Sequence, residues 1–324
     1  MIRRRALLAT PLLATPILAT PALAQSWPER SLRIIVPFPP GGPVDGGARV
    51  VAQVLQEQLG QPVVIDNRSG AGGSIGTEAA AKAVPDGYTL HFGSTGSLAV
   101  NQTLVPNLSY DTRRDLTAIS VVSAVPMLMV ARTGLPQRSL AEIIAASRAN
   151  PNSITYATSG PGGAPHLAGE LLRQRGNVHL TMVAYRGAAP AMTAIIAQEV
   201  DTTFLDPAVL MPHVRDGRMR ALAVTGPQRL AALPEYPTLV ESGLPGVEVE
   251  NWYALLAPAG TPRDRIARIH GALATALARP ATLRSYVEQG QRVLNLNPEA
   301  ATAFIAQEID KWAEVVRSAG MKPE

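Results

Sequence analysis

The chain has 324 residues, with 29 Lys and Arg against 25 Asp and Glu, and no cysteine. Lack of cysteine excludes disulfides, thiolate metal sites and a cysteine nucleophile. Only 4 % of residues are aromatic, which disfavours the stacking faces that sugar and quaternary-ammonium receptors use and favours a small polar or anionic ligand.

Residues Met1–Ala24 have the three parts of a removable export signal. Arg3, Arg4 and Arg5 form the basic start, and Ala6–Leu18 is an apolar run too short to span a bilayer. Ala22-Leu23-Ala24 reads as a cleavage site, so the mature chain is expected to start at Gln25, outside the cytoplasm. The paired arginines also permit the twin-arginine route, with ordinary secretion preferred. Three of the 29 basic residues leave with the signal and no acid does, so the mature chain is near neutral. That disfavours nucleic-acid and membrane-surface roles.

The mature chain alternates strand and helix signals. Leu32–Pro37 is a β-branched run that reads as a buried strand. Val44–Leu59 has helical spacing of Val50, Val51, Val54, Leu55 and Leu59 and closes at Gly60. Pro62–Asp66 is a second strand, Gly70–Gly73 a turn and Ser74–Val84 a small-residue helix. Tyr88–Phe92 is a third strand, ending in the turn Gly93-Ser94-Thr95-Gly96-Ser97. This βαβαβ order predicts an open parallel sheet.

A second set follows. Ile119–Val122 and Met127–Ala131 read as strands, and Ser139–Arg148 as a helix with Ser139 and Glu142 at capping-box spacing. Then come the strand Thr155–Thr158, the turn Ser159–Gly163, the helix Ala164–Arg175, the strand Leu180–Ala184 and the helix Ala188–Gln198. Val200–Leu205 and Arg220–Val224 complete the set. Val249–Ala257 returns to strand character, and Pro262–Leu277, Ala281–Gln289 and Pro298–Ala319 are amphipathic closing helices. Two sets with a late return predict two lobes joined by at least two crossings. Lobe one is residues 25–123 plus 245–324, and lobe two is residues 124–244. Each is expected to be a mostly parallel α/β sheet flanked by helices.

No catalytic set is visible. The five histidines are His91, His166, His179, His213 and His270, and none pairs at a zinc-type spacing. The turn Gly93-Ser94-Thr95-Gly96 is not a nucleophile elbow. Gly70–Gly76 places Ile75 where a dinucleotide fingerprint needs its third glycine. No metal or cofactor is expected.

What remains is the series of glycine turns at strand ends, where open α/β sheets bind ligands. Phe38-Pro39-Pro40-Gly41-Gly42 precedes a helix whose first turn holds Asp45, and its amides suit a carboxylate. The expected role of Asp45 is the helix N-cap, with stabilisation of the loop or of a ligand amine as the alternative. Ser94, Thr95, Ser97, Thr158 and Ser159 supply hydroxyls that are equally good turn formers. Gly160 and Gly163 complete the next turn. His166 follows as a ligand donor or a packing histidine. Tyr185-Arg186-Gly187 brings the one cation that could enter the cleft, and Asp206, at the end of the strand Thr202–Leu205, could hold a hinge, a water or a ligand.

These motifs, in order, resemble the substrate-binding proteins of tripartite tricarboxylate transporters, the Bug receptors. The resemblance runs over Trp27–Gly320. It rests on Ile34–Gly42 with Asp45, Leu59–Val64 with Asp66-Asn67-Arg68, Pro85–Leu90, His166–Glu170, Tyr185–Gly187, Arg220–Thr225 and Ala257–Pro262. It implies a periplasmic, Venus-flytrap receptor that closes on a small organic acid and delivers it to membrane permease subunits. It also implies a non-enzymatic chain, expected to be a monomer. The implied ligand contacts are Phe38–Gly42, Asp45, Ser94–Ser97, Ser159–Gly163 with His166, Tyr185–Gly187 and Asp206. Pro40, Ala184 and Arg186 depart from the family's small residue, proline and lysine. The alternatives are an exported α/β hydrolase and a ligand sensor for a membrane signalling partner.

Overall fold

The strand signals resolve into eleven strands in a computed structural model that describes residues 27–322. The export signal and its cleavage site lie outside the described residues. The strands are β1 (Leu32–Val36), β2 (Val63–Asn67), β3 (Thr89–Ser94), β4 (Leu116–Pro126), β5 (Leu128–Arg132), β6 (Thr155–Thr158), β7 (Thr181–Ala184), β8 (Thr202–Leu205), β9 (Met219–Val224), β10 (Glu250–Pro258) and β11 (Arg292–Val293).

They form two sheets, of order β11-β4-β10-β3-β1-β2 and β7-β6-β8-β5-β9. Both sheets are mixed, where the sequence led us to expect mostly parallel pairing. Strands joined through helices are parallel: β1 with β2 and β3, and β6 with β7 and β8. The strands that carry the chain between sheets are antiparallel to their neighbours: β4 and β10 in one, β5 and β9 in the other. The first strand after each passage, β5 in one sheet and β10 in the other, runs against the helix-linked strands of the sheet it enters. The chain passes from one sheet to the other at Met127, between β4 and β5, and returns between Val224 and Glu250.

The helix Pro43–Leu59 buries Val44, Ala48, Val51, Ala52 and Leu55, a stripe at helical spacing, against Leu32, Ile34 and Val36 of β1. Ile266, Ile269 and Leu273 of the helix Arg263–Leu277 join the same core. Each such fully buried aliphatic side chain contributes roughly 1.5–3 kcal/mol. A second core runs through both lobes, from Leu98 and Trp252 to Leu167 and Phe204, and the closing helix Pro298–Ala319 packs into it through Trp312 and Val316.

Two of the helical segments absent from the sequence reading lie beside the cleft. Residues 95–104 are helical, with a wide π-turn over Gly96–Val100, where the sequence suggested only a turn. A π-turn breaks the 3.6-residue period that the eye looks for. The helix Pro207–Arg215 was hidden by Pro212 in its interior, which reads as a breaker. Ser139 caps its helix as expected, accepting from the Glu142 N–H at 3.2 Å.

Candidate functional site

Five strand ends point their following turns into one cleft between the sheets. Besides the helical segment that follows β3, four of these turns lead into the helices that begin at Pro43, Ala164, Ala188 and Pro207. Their N-cap residues are Gly42, Gly163, Gly187 and Asp206, and none has a side chain that accepts from its helix's first-turn N–H groups. Glycine cannot cap, and Asp206 turns its carboxylate elsewhere. The first-turn amides of these helices therefore have no side-chain acceptor from the cap position, the condition that favours a bound anion.

These N-termini surround an inner chamber of about 50 Å³. Its polar side chains are Ser94, Ser159, Asp206 and Asn251, and the rest of its wall is apolar or glycine. Among the described residues no Lys, Arg or His lines it. A larger outer groove of about 660 Å³ shares Phe38, Pro39, Ser159 and Gly187 with the chamber. It adds Ser69–Gly73, Asn101, Gly160, Tyr185 and Arg186. Arg186 is exposed and, among the described residues, makes no ion pair or hydrogen bond.

The lobes meet through backbone. A Cβ on Gly96 of the first lobe would sit 3.0 Å from the Gly162 carbonyl of the second. One on Gly72 would lie 3.3 Å from the Pro161 carbonyl, and one on Gly187 would lie 3.4 Å from the Pro39 ring. At Gly96 and Gly72 a side chain would press on the facing carbonyl of the other lobe, whereas at Gly187 it would make an ordinary contact.

Of the residues singled out from sequence, Phe38, Pro39, Gly42, Ser94, Ser159, Gly160, Gly163, Tyr185, Arg186, Gly187 and Asp206 line one or both cavities. Pro40, Gly41, Asp45, Thr95, Ser97 and His166 do not. Pro40 and Gly41 lie on the exposed shoulder of the turn.

Asp45 is not the N-cap. It is the third residue of its helix, buried, and reaches back to accept the Gly41 N–H at 3.0 Å. It also accepts from Asn67 Nδ2 (3.0 Å) and from Arg49 Nε (2.9 Å). Burial opposes its charge, but the hydrogen bonds from Arg49, Gly41 and Asn67 outweigh it and hold the carboxyl below its usual range. Asn67 Nδ2 also donates to the Phe38 carbonyl at 3.0 Å, so the pair fixes the turn.

The Thr95 hydroxyl accepts the Trp252 N–H at 3.0 Å, and the Ser97 hydroxyl accepts the Ser94 N–H at 3.2 Å. His166 Nδ1 accepts the Gly162 N–H at 3.1 Å, which leaves the proton on Nε2, 4.0 Å from Glu170. Burial lowers its pKa, with Glu170 pulling the other way. All three side chains brace turns rather than face the cavity.

Asp206 ends β8, is 2 % exposed and accepts a short hydrogen bond from the Tyr253 hydroxyl on β10 of the opposite sheet. Asn251 Nδ2 donates to the same hydroxyl at 2.8 Å. Burial pushes the Asp206 carboxyl up to about 6, against the pull of Tyr253 and Asn251. Asn251, Met127, Pro165, Ala188 and Pro190 were missed from sequence. Extending each glycine turn into the first turn of its helix would have found Pro165, Ala188 and Pro190. Nothing in the late strand marks Asn251.

The match to known proteins agrees with this geometry. Residues 47–321 match the tripartite tricarboxylate transporter family receptor. The chain is 38 % identical over 300 residues to protein BugT of Bordetella pertussis, covering 92 % of each. Among solved structures, R. palustris Rpa4515 with adipate superposes with a TM-score of 0.89 at 34 % identity, over 92 % of this chain and 100 % of that one. The periplasmic binding protein BugD superposes at 0.86 and 35 % identity, again over 92 % and 100 %. The family match over most of the chain and the likeness to BugT and BugD show that this chain belongs to the tripartite tricarboxylate transporter receptor family, the Bug proteins.

Proposed function

We propose that the chain is exported, cleaved after Ala24, and closes two lobes on a small organic carboxylate in the periplasm. Residues 25–123 with 245–324 form one lobe and residues 124–244 the other. The loaded monomer delivers its acid to the membrane permease subunits of a tripartite transporter. It binds and releases its ligand unchanged.

One observation carries this. Four helix N-termini without side-chain caps surround a chamber that holds no side-chain cation among the described residues. Such a site neutralises an anion with backbone dipoles, and its affinity depends on lobe closure. A ligand favours the closed state by its differential affinity for closed over open. The relative with adipate in its structure supports an acid as the ligand class. Arg186 lines the outer groove, which supports its reading the far end of the acid. A hydrolase has little to stand on: no histidine lines the chamber among the described residues, and His166 Nδ1 is occupied by Gly162.

The test is a thermal-shift screen of the mature chain, Gln25–Glu324, refolded to strip ligand, against about a hundred small acids and neutral sugars. A ligand at ~100 times its Kd adds about 2.7 kcal/mol. Acids are expected to raise the melting temperature and sugars to leave it unchanged. A screen in which no acid acts would reject the proposal.

A further inference from the structure

Asp206 is out of place in a chamber built only for an anion. It is buried, it lines the inner chamber, and it has no ion pair among the described residues. It stands at the N-cap of the Pro207–Arg215 helix but does not cap it. Its carboxylate instead faces Tyr253, with Asn251 behind the tyrosine hydroxyl. The uncapped N-termini at Pro43, Ala164 and Ala188 share the same chamber. The space therefore carries both signs: a carboxylate in one wall and the positive ends of helices in others.

A plain carboxylate entering about 50 Å³ meets Asp206 as a like charge. A ligand that sets a donor against Asp206 turns that repulsion into a charge-assisted hydrogen bond. Given a receptor for acids, as above, we propose that the inner chamber selects acids bearing an ammonium or hydroxyl group on the carbon next to the carboxylate. Asp206 accepts from that donor while the helix N-termini hold the carboxylate. The chamber takes this head group. The remainder of the ligand extends into the groove of about 660 Å³, past Tyr185 and Arg186.

Matched acids decide the matter. Calorimetry on the stripped mature chain would compare propionate, lactate and alanine; succinate, malate and aspartate; and glutarate, 2-hydroxyglutarate and glutamate. A further set is built on the tightest acid of the screen. In every set that binds, the substituted acids are expected to bind at least about tenfold tighter than the parent, the scale of one charge-assisted hydrogen bond. Asp206→Asn keeps an acceptor for Tyr253 but removes the charge, and is expected to collapse that ratio while parent acids bind as well or better. Parent acids binding equally or more tightly in the wild type would overturn the proposal, whether or not the variant folds. So would a ratio unchanged by Asp206→Asn. Binding by no acid at all would instead reject the acid receptor itself, and this selectivity with it.

Discussion

The carboxylate of Asp45 accepts the N–H of Gly41, 3.0 Å away, and so removes from the glycine turn one of the few amides it has to offer. Pro39, Pro40 and Pro43 have no N–H. The turn is thus positioned by Asp45 and Asn67, and its amides are not a free cradle. Asp45→Ala is expected to destabilise the chain by about 2 kcal/mol, since hydrogen bonds to charged groups are each worth roughly 1.5–3 kcal/mol and the Arg49 contact is half in solvent. It should also weaken ligand binding by releasing Phe38. Chemical denaturation and calorimetry on the same variant check both. Lost stability with unchanged affinity would show that ligands do not sense this turn.

The contact between Gly96 and Gly162 gives a clean test of closure. Gly96 lies in a helical segment, where alanine is favoured by roughly 0.5–1 kcal/mol over glycine. Its new Cβ would nevertheless stand 3.0 Å from a carbonyl of the other lobe. Gly96→Ala should therefore leave unliganded stability equal or higher and reduce affinity by about tenfold or more, the effect of about 1.4 kcal/mol against the closed state. Small-angle scattering with saturating ligand should show a wider molecule than the wild type. Unaltered affinity would mean that the lobes need not approach this closely.

Much of this was legible in the residues, and the failures have physical causes. The turns at Phe38–Gly42, Ser159–Gly163 and Tyr185–Gly187 were found because glycine and proline mark strand ends strongly. Hydroxyl and imidazole groups were harder to place. Thr95, Ser97 and His166 sit in the right turns, yet their polar atoms satisfy backbone N–H groups at Trp252, Ser94 and Gly162. Sequence shows that a polar atom is near a site but not which partner will claim it. The parallel bias assigned to the sheets came from counting βα units, which says nothing about β4, β5, β9 and β10. Of these, β5 and β10 run against their sheets because each is the first strand after a crossing between lobes. Asn251 enters the chamber from a strand of the opposite lobe, a contact 45 residues beyond Asp206 in the chain, which no local pattern encodes.

Two buried groups titrate with opposite effects on stability. His91 Nδ1 donates to the Ile35 carbonyl at 3.1 Å, and burial lowers its pKa from 6.5 to about 4. The folded chain refuses a proton that the unfolded chain binds, so this contribution is present above pH 6.5 and is lost as pH falls toward 4. Asp206 is raised from 3.8 to about 6. Here the folded chain binds a proton that the unfolded chain releases, so stability rises as pH falls from 6 toward 3.8. The two slopes oppose each other, and the wild type is expected to change little between pH 6 and 4. His91→Gln should gain stability on acidification through this window. Asp206→Asn should lose it more steeply than the wild type. Denaturant midpoints at pH 4, 5, 6 and 7 for the three proteins measure this, and parallel curves would show that neither group is perturbed in this way.

Away from the cleft, one carboxylate serves two tryptophans. Glu308 Oε2 accepts from Trp252 Nε1 at 2.8 Å and from Trp312 Nε1 at 2.7 Å, and Oε1 accepts from Lys311 at 2.9 Å. Trp252 lies on β10 and Trp312 on the closing helix, both essentially buried. Removing the acceptor strands two indole N–H groups, each with a penalty of roughly 1–3 kcal/mol. Glu308→Ala is expected to lower stability by about 3 kcal/mol. Glu308→Gln keeps a carbonyl that both indoles can reach and should cost about 1 kcal/mol, mostly from the weaker charge on the acceptor. Neither change touches the chamber, so affinity per folded molecule should match the wild type. Urea unfolding followed by tryptophan fluorescence reports directly on these residues. If glutamine proves as damaging as alanine, the carboxylate charge, and not the shared acceptor geometry, holds this helix to the sheet.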